Sequence, residues 1–250
     1  MNSSGGIEVA TNWTPNIDLT FENAVSAADT LNIGLDAGNA PIAATIANTI
    51  FQEMNHVTIN LTDGATLSVG SRFMKELTLN ISNGSQFFAT SGNTRFGTAA
   101  TINYYSAAES VSSVVGNKFR LQSDTSVLNM YDGKMVVNEF QSTNNGELNL
   151  EGGDFSFAVK NFNVNQVGNI NFNSIAGSVL TFTGATSIDD LNTELEDGFI
   201  QIDSATVGLS AYKREFDGNE LRISVIPEPG TYALLAGFAA FGSIMLRRRR

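Results

Sequence analysis

Apolar and polar residues alternate in short runs through most of the chain, as in "VTINLT" from Val57, "ELTLNIS" from Glu76, "TINYY" from Thr101 and "VLNMY" from Val127. A period of two turns successive side chains to opposite faces, so these runs predict half-buried strands rather than helices, whose apolar positions recur at 3.6 residues. The run is one motif repeated: an asparagine between two apolar residues, at Asn60, Asn80, Asn103, Asn129, Asn149 and Asn171. The intervals between these asparagines are 20, 23, 26, 20 and 22 residues. In four copies a glycine follows the asparagine by four positions, at Gly64, Gly84, Gly133 and Gly153, preceded by Asp63, Asn83, Asp132 and Gly152. Such pairs favour positive φ and a sharp corner. A second alternating run follows, such as "TLSV" or "KMVV".

Strand, corner, strand and return make the rung of a solenoid. The pattern predicts an all-β, right-handed parallel β-helix with irregular rungs of about 22 residues, an apolar interior and an outward asparagine column. The alternative is a β-sandwich, because Asp-Gly and Asn-Gly corners also close hairpins. "NWTPNIDLTF" and "ADTLNIGL" read as strands that start the stack, with Trp13 closing the end of the core, while "APIAATIANTIFQEM" reads as either a short helix or more rung. Towards the other end, Ser187 is expected to cap a short helix with Asp190 at its third position and Ile188, Leu191 and Leu195 on one face. A final hairpin is expected to turn at Asp217-Gly218-Asn219 and cover the edge of the last rung.

Composition narrows the function. The chain has 250 residues, only 16% of them charged, with a net charge of -11. Without the four C-terminal arginines the rest of the chain carries -15, from -11 minus 4, which repels phosphate and anionic lipid and excludes a general nucleic-acid binder. Cysteine is absent, which removes disulfides, thiolate metal sites and thiol nucleophiles. His56 is the single histidine, too few for an imidazole metal site or a Ser/His/Asp relay.

The last residues differ in kind. From Thr231 to Leu246 no residue is charged, and Arg247, Arg248, Arg249 and Arg250 close the chain. As a helix these 16 residues reach about 24 Å, a marginal membrane span that snorkelling arginines complete, with the positive end on the cytoplasmic side. Pro227 and Pro229 flank Glu228 just ahead of this segment and stop a helix from running back into the body. The order Pro-Glu-Pro, apolar helix, arginine cluster resembles the PEP-CTERM sorting signal. That resemblance implies recognition by exosortase, a membrane-embedded processing enzyme of Gram-negative bacteria, with Pro227, Glu228 and Pro229 as the motif. It further implies export, transient inner-membrane anchoring, and association with exopolysaccharide at the cell surface or in a biofilm matrix. The body over roughly residues 25 to 185 resembles autotransporter-like and adhesin-like β-helices, which carry no catalytic motif. The expected division is a body over 1–224 and a sorting tail over 225–250. Proteins with this tail carry an N-terminal signal peptide, whereas "MNSSGGIEVATNWTPN" has neither a basic nor an apolar region, so the expected true start lies upstream of Met1.

Paired acids are the remaining chemistry to weigh. Asp189 and Asp190 suit a helix N-terminus, and Asp63, Asp132 and Asp217 suit corners before glycine, so neither set reads as glycosidase acids. Neither the EF-hand loop nor the nonapeptide calcium repeat is present, and no cofactor or metal is expected. The triplets Thr58-Asn60-Thr62 and Thr78-Asn80-Ser82 resemble the threonine-rich faces of ice-binding solenoids, but Val127-Asn129-Tyr131 and Glu147-Asn149-Glu151 interrupt that face. The expectation is a non-enzymatic surface or matrix component. The alternative is a carbohydrate-binding adhesin or ice-binding protein that uses the same ladder.

Overall fold

The computed structural model describes residues 5–6, 29–35, 39–46, 53–54, 57–69, 72–89, 93–105, 109–112, 118–123, 125–142, 144, 146–158, 163–164, 168–175 and 177–226. The regular secondary structure of the described residues is nearly all strand, wound into a parallel β-solenoid with three strand-bearing faces.

The first face is an eight-stranded sheet of Asp29–Ile33, Val57–Leu61, Thr78–Ile81, Thr101–Tyr104, Val127–Met130, Glu147–Leu150, Ile170–Phe172 and Ile200–Ile202. Every neighbouring pair is parallel. That pairing excludes the sandwich of hairpins as the body's architecture. The second face is built from Ala43–Ile46, Thr66–Val69 and Gln86–Ala89, then from Glu109–Ser112, Lys134–Val137, Asp154–Phe157 and Val179–Thr183 in a separate sheet. A third face lies on the return leg: Glu53–Met54, Arg72–Met74, Asn93–Phe96, Lys118–Leu121, Glu139–Ser142 and Asn163–Val164.

Alternation explains the core. On the first face Ile59, Leu79, Ile102, Leu128, Leu148 and Ile170 are all fully buried in register, and so are Leu61, Ile81, Tyr104, Met130, Leu150 and Phe172. The other two faces contribute much of the aromatic interior: Phe96 and Phe119 lie 4.9 Å apart between ring centres, Phe140 and Phe155 5.0 Å, and Phe157 and Phe182 5.1 Å. Such pairs add geometric preference to the burial of large apolar surfaces. Deleting one fully buried ring costs about 3–5 kcal/mol.

Corners follow the Asx-Gly pairs. Asp63 and Gly64 sit at φ 57° and 76°, and Asn83 and Gly84 at 51° and 75°, which is the left-handed turn these residues tolerate. Buried polar groups clamp a different corner: Asn169, fully buried, donates from Nδ2 to Ser142 Oγ at 3.0 Å and to the Gly146 carbonyl at 2.8 Å. This ties the third face to the start of the first.

The C-terminal end is closed by different structure. Tyr212–Phe216 and Glu220–Val225 form an antiparallel hairpin about Asp217-Gly218-Asn219, and Glu220–Val225 also pairs antiparallel with Val179–Thr183, covering its outer edge. Ile200–Ile202 instead continues the first face in parallel. The helix differs from the expected one: it runs only Asn192–Glu196 and has no side-chain cap. Ser187 and Asp190 make local turns, with Asp190 Oδ2 accepting the Thr186 N–H at 2.7 Å and Ser187 Oγ accepting the Asp189 N–H at 3.0 Å. Leu191 then adopts φ 73°, so no helix runs from Ser187 through it, and Ile188 is left exposed while Leu191 and Leu195 are buried. "APIAATIANTIFQEM" contributes rung strands where it is described, at Ala43–Ile46 and Glu53–Met54. Trp13 and His56 lie outside the described residues.

Candidate functional site

The first face carries a chain of side-chain amides on its outer surface. Asn60 donates from Nδ2 to Asn32 Oδ1 at 2.8 Å, Asn80 to Asn60 at 2.8 Å, Asn103 to Asn80 at 2.9 Å, Asn129 to Asn103 at 2.9 Å and Asn149 to Asn129 at 3.0 Å. Strict register sets this up, because each asparagine lies opposite the next across adjacent strands about 4.8 Å apart. All five bonds run the same way along the axis, so their dipoles add and polarise one another. Asn171 continues the register, but its Oδ1 accepts the Ser204 N–H of the closing structure at 2.8 Å. Asn32 belongs to the column although the repeat read from the sequence begins at Asn60; its signal is the same apolar-Asn-apolar triplet, Leu31-Asn32-Ile33, set 28 residues before Asn60.

An internal ladder amide spends one N–H and one acceptor site on its neighbours. The second N–H and the remaining acceptor capacity take no part in the ladder, and groups of this kind match the donor and acceptor hydroxyls of a sugar or ordered water. Two columns flank the amides. On one side Thr30, Thr58, Thr78 and Thr101 lie in register, followed by Val127 and Glu147. On the other, Tyr105 and Tyr131 are exposed and stacked, with ring centres 4.6 Å apart and planes within 4°. Partial burial pushes the Tyr131 phenol above its usual range, and Tyr105 and Glu151 add to the shift. Asn173 donates to Glu151 Oε2 at 2.8 Å just beyond.

The acids weighed from the sequence are held in turns. Asp132 Oδ1 accepts the Gly133 N–H at 2.7 Å. Asp217 Oδ1 accepts the Glu220 and Asn219 N–H groups at 2.9 and 3.2 Å, and those bonds hold its carboxyl below the usual range. Asp189 accepts from Asn192 at 3.0 Å. Among the described residues no group of three or more His, Asp or Glu is arranged to hold a metal, and no helix is long and apolar enough to cross a membrane.

The tail begins where the closing hairpin ends. Val225 pairs with Tyr212, and the Ile226 N–H donates to the Ala211 carbonyl at 2.9 Å. Pro227, Glu228, Pro229, the segment from Thr231 to Leu246 and Arg247 to Arg250 lie outside the described residues, as does the expected tail helix. A family model described as the PEP-CTERM protein-sorting motif matches residues 225–250. No curated protein and no solved structure matches the chain. The motif is the recognition signal of exosortase and marks the chain for export through membrane-anchored processing.

Proposed function

We propose that this protein is a displayed, non-catalytic solenoid: exported, held at the inner membrane by its tail, recognised by exosortase at Pro227, Glu228 and Pro229, and released to the cell surface or matrix, where it associates with exopolysaccharide in a biofilm. The carrying observation is the sorting motif over residues 225–250, which starts inside the last strand of a closed β-solenoid. A long-lived rod suits such a location, and its backbone bonds and aromatic interior stabilise it. The outward amides supply a repeating hydrogen-bonding surface for polymer hydroxyls.

The test is fractionation of the native producer with and without its exosortase, followed by co-sedimentation with its extracted exopolysaccharide. Display predicts surface or matrix recovery in the wild type, membrane retention without the enzyme, and sedimentation with the polymer. Retention in the membrane of both strains contradicts it. A second reading, an adhesin or ice binder using the same ladder, is favoured by the four threonines in register at Thr30, Thr58, Thr78 and Thr101. Inhibition of ice recrystallisation by the purified chain separates that reading from passive display.

A further inference from the structure

Among the described side chains two aromatic ones are exposed, and they stand together. Tyr105 and Tyr131 follow the paired residues Tyr104 and Met130 on neighbouring rungs, and their rings stack with centres 4.6 Å apart and planes within 4°. The offset between the rings follows the roughly 4.8 Å offset between the strands, so each ring covers one face of the other. The second face of Tyr105 is turned to the preceding rung, and that of Tyr131 to the rung of Glu151. Tyr105 keeps 46% of its surface exposed although one face is covered, because the side chains on the preceding rung are small.

In the column of Tyr105, Ser82 is next in register and Thr62 next after it, both half-buried. The Ser82 hydroxyl donates to the Leu61 carbonyl at 3.2 Å, so it is folded back on the rung before it. At the adjoining corner a Cβ on Gly84 would meet nothing within 4 Å. The result is a step whose wall is an aromatic ring and whose floor runs for two rungs, roughly 10 Å. Two residues back along the strands, roughly 6.6 Å away, lie Asn80 and Asn103, each with one N–H outside the ladder.

We propose that this step binds a neutral polysaccharide by stacking one pyranose ring on the open face of Tyr105. A pyranose with equatorial hydroxyls presents a flat C–H face to an aromatic ring and hydroxyls at its edge, where the amides of Asn80 and Asn103 supply donors and acceptors. The local charge disfavours a polyanion, nucleic acid included. Glu151 follows Tyr131 in the column, Asp63 and Asp132 are exposed at the corners, and Lys134 beyond its corner stands in register with Asp154. A peptide strand finds no edge here, because every strand of this sheet from Val57–Leu61 to Ile170–Phe172 is paired on both sides. The proposal rests on the reading that this outer face meets a polymer, and it names the side chain that holds one.

The experiment is affinity electrophoresis of the full chain in detergent, with hydroxyethylcellulose or carboxymethylcellulose as the probe, the same glucan without and with charge. Hydroxyethylcellulose is expected to retard the wild type whether or not salt is added, and carboxymethylcellulose to retard it less. Tyr105→Ala is expected to weaken binding about tenfold, while Tyr105→Phe, which keeps the ring face, stays within about twofold of the wild type. Ile188→Ala, an exposed apolar side chain removed from the closing structure, is expected to bind as the wild type does. Circular dichroism establishes that each variant is folded. Ser82→Gln, which fills the floor of the step, is expected to weaken binding as well and decides the matter if Tyr105→Ala does not fold. No retardation of the wild type by hydroxyethylcellulose, equal retardation of a folded Tyr105→Ala, or stronger retardation by carboxymethylcellulose overturns the proposal. Each of these leaves the sorting reading standing, and a tail that is never processed leaves binding by the purified chain unaffected.

Discussion

Asn103 donates its Nδ2–H to Asn80 Oδ1 at 2.9 Å and accepts the Asn129 Nδ2–H at 2.9 Å, so one side chain joins three rungs. Asn103→Ala removes both bonds. The abandoned groups are only partly buried and water reaches them, which limits the cost to about 1–2 kcal/mol. Asn32→Ala, at the end of the column, removes one bond and is expected to cost about half as much. Urea unfolding of the two variants measures the difference, and equal midpoints contradict an energetic role for the ladder.

Corner glycines are expected to differ sharply in their tolerance of alanine. Gly84 has φ 75° but open space where a Cβ points, so Gly84→Ala carries only the left-handed backbone penalty, about 1 kcal/mol. Gly152 has φ 149°, and a Cβ there comes within 2.4 Å of the Tyr131 carbonyl oxygen on the rung below. Gly152→Ala forces backbone apart and is expected to cost about 3 kcal/mol. Thermal unfolding ranks the pair, and the reverse order refutes this account of rung contact.

The closing hairpin predicts an alkaline weakness. Tyr212 is buried, donates its hydroxyl to the Ile200 carbonyl at 2.9 Å, and has its pKa pushed up to about 12 by desolvation. An unfolded tyrosine titrates near 10, so above that pH the unfolded chain loses a proton that the folded chain keeps. This contribution to stability is fully present below about pH 10 and falls as pH rises towards about 12. Tyr212→Phe flattens that part of the pH profile while lowering stability at pH 7 by about 1–2 kcal/mol through the lost bond. An unchanged alkaline slope in the variant contradicts the assignment.

The first and second faces are legible in the sequence because each strand declares itself locally. Ile59-Asn60-Leu61 must send two apolar chains inward and one amide outward, and Asp63-Gly64 must turn. Asn32 escapes because 28 residues separate it from Asn60, a longer interval than any other in the column. The third face escapes for a different reason. Its strands bury Thr94 and Ser142 where the repeat predicts apolar residues and leave Arg95 and Arg120 half-buried on the outer side, so no common triplet marks them. Arg95 and Arg120 are 25 residues apart, close to the local interval of 26, and that near-coincidence is the signal that places them side by side. The closing helix shows the limit of capping rules: Ser187 and Asp190 satisfy their neighbours in turns, and a left-handed Leu191 sets the helix start. The tail is legible from its motif alone.

The central claim is that the solenoid is delivered by a processed tail, and the direct test is the intact mass and C-terminal peptide of the protein recovered from its native producer, in membrane and extracellular fractions. The account predicts an extracellular form lacking the apolar segment and Arg247 to Arg250, and loss of that form when Pro227, Glu228 and Pro229 are replaced by alanine. An intact tail found only in membranes contradicts it and makes the segment a permanent anchor.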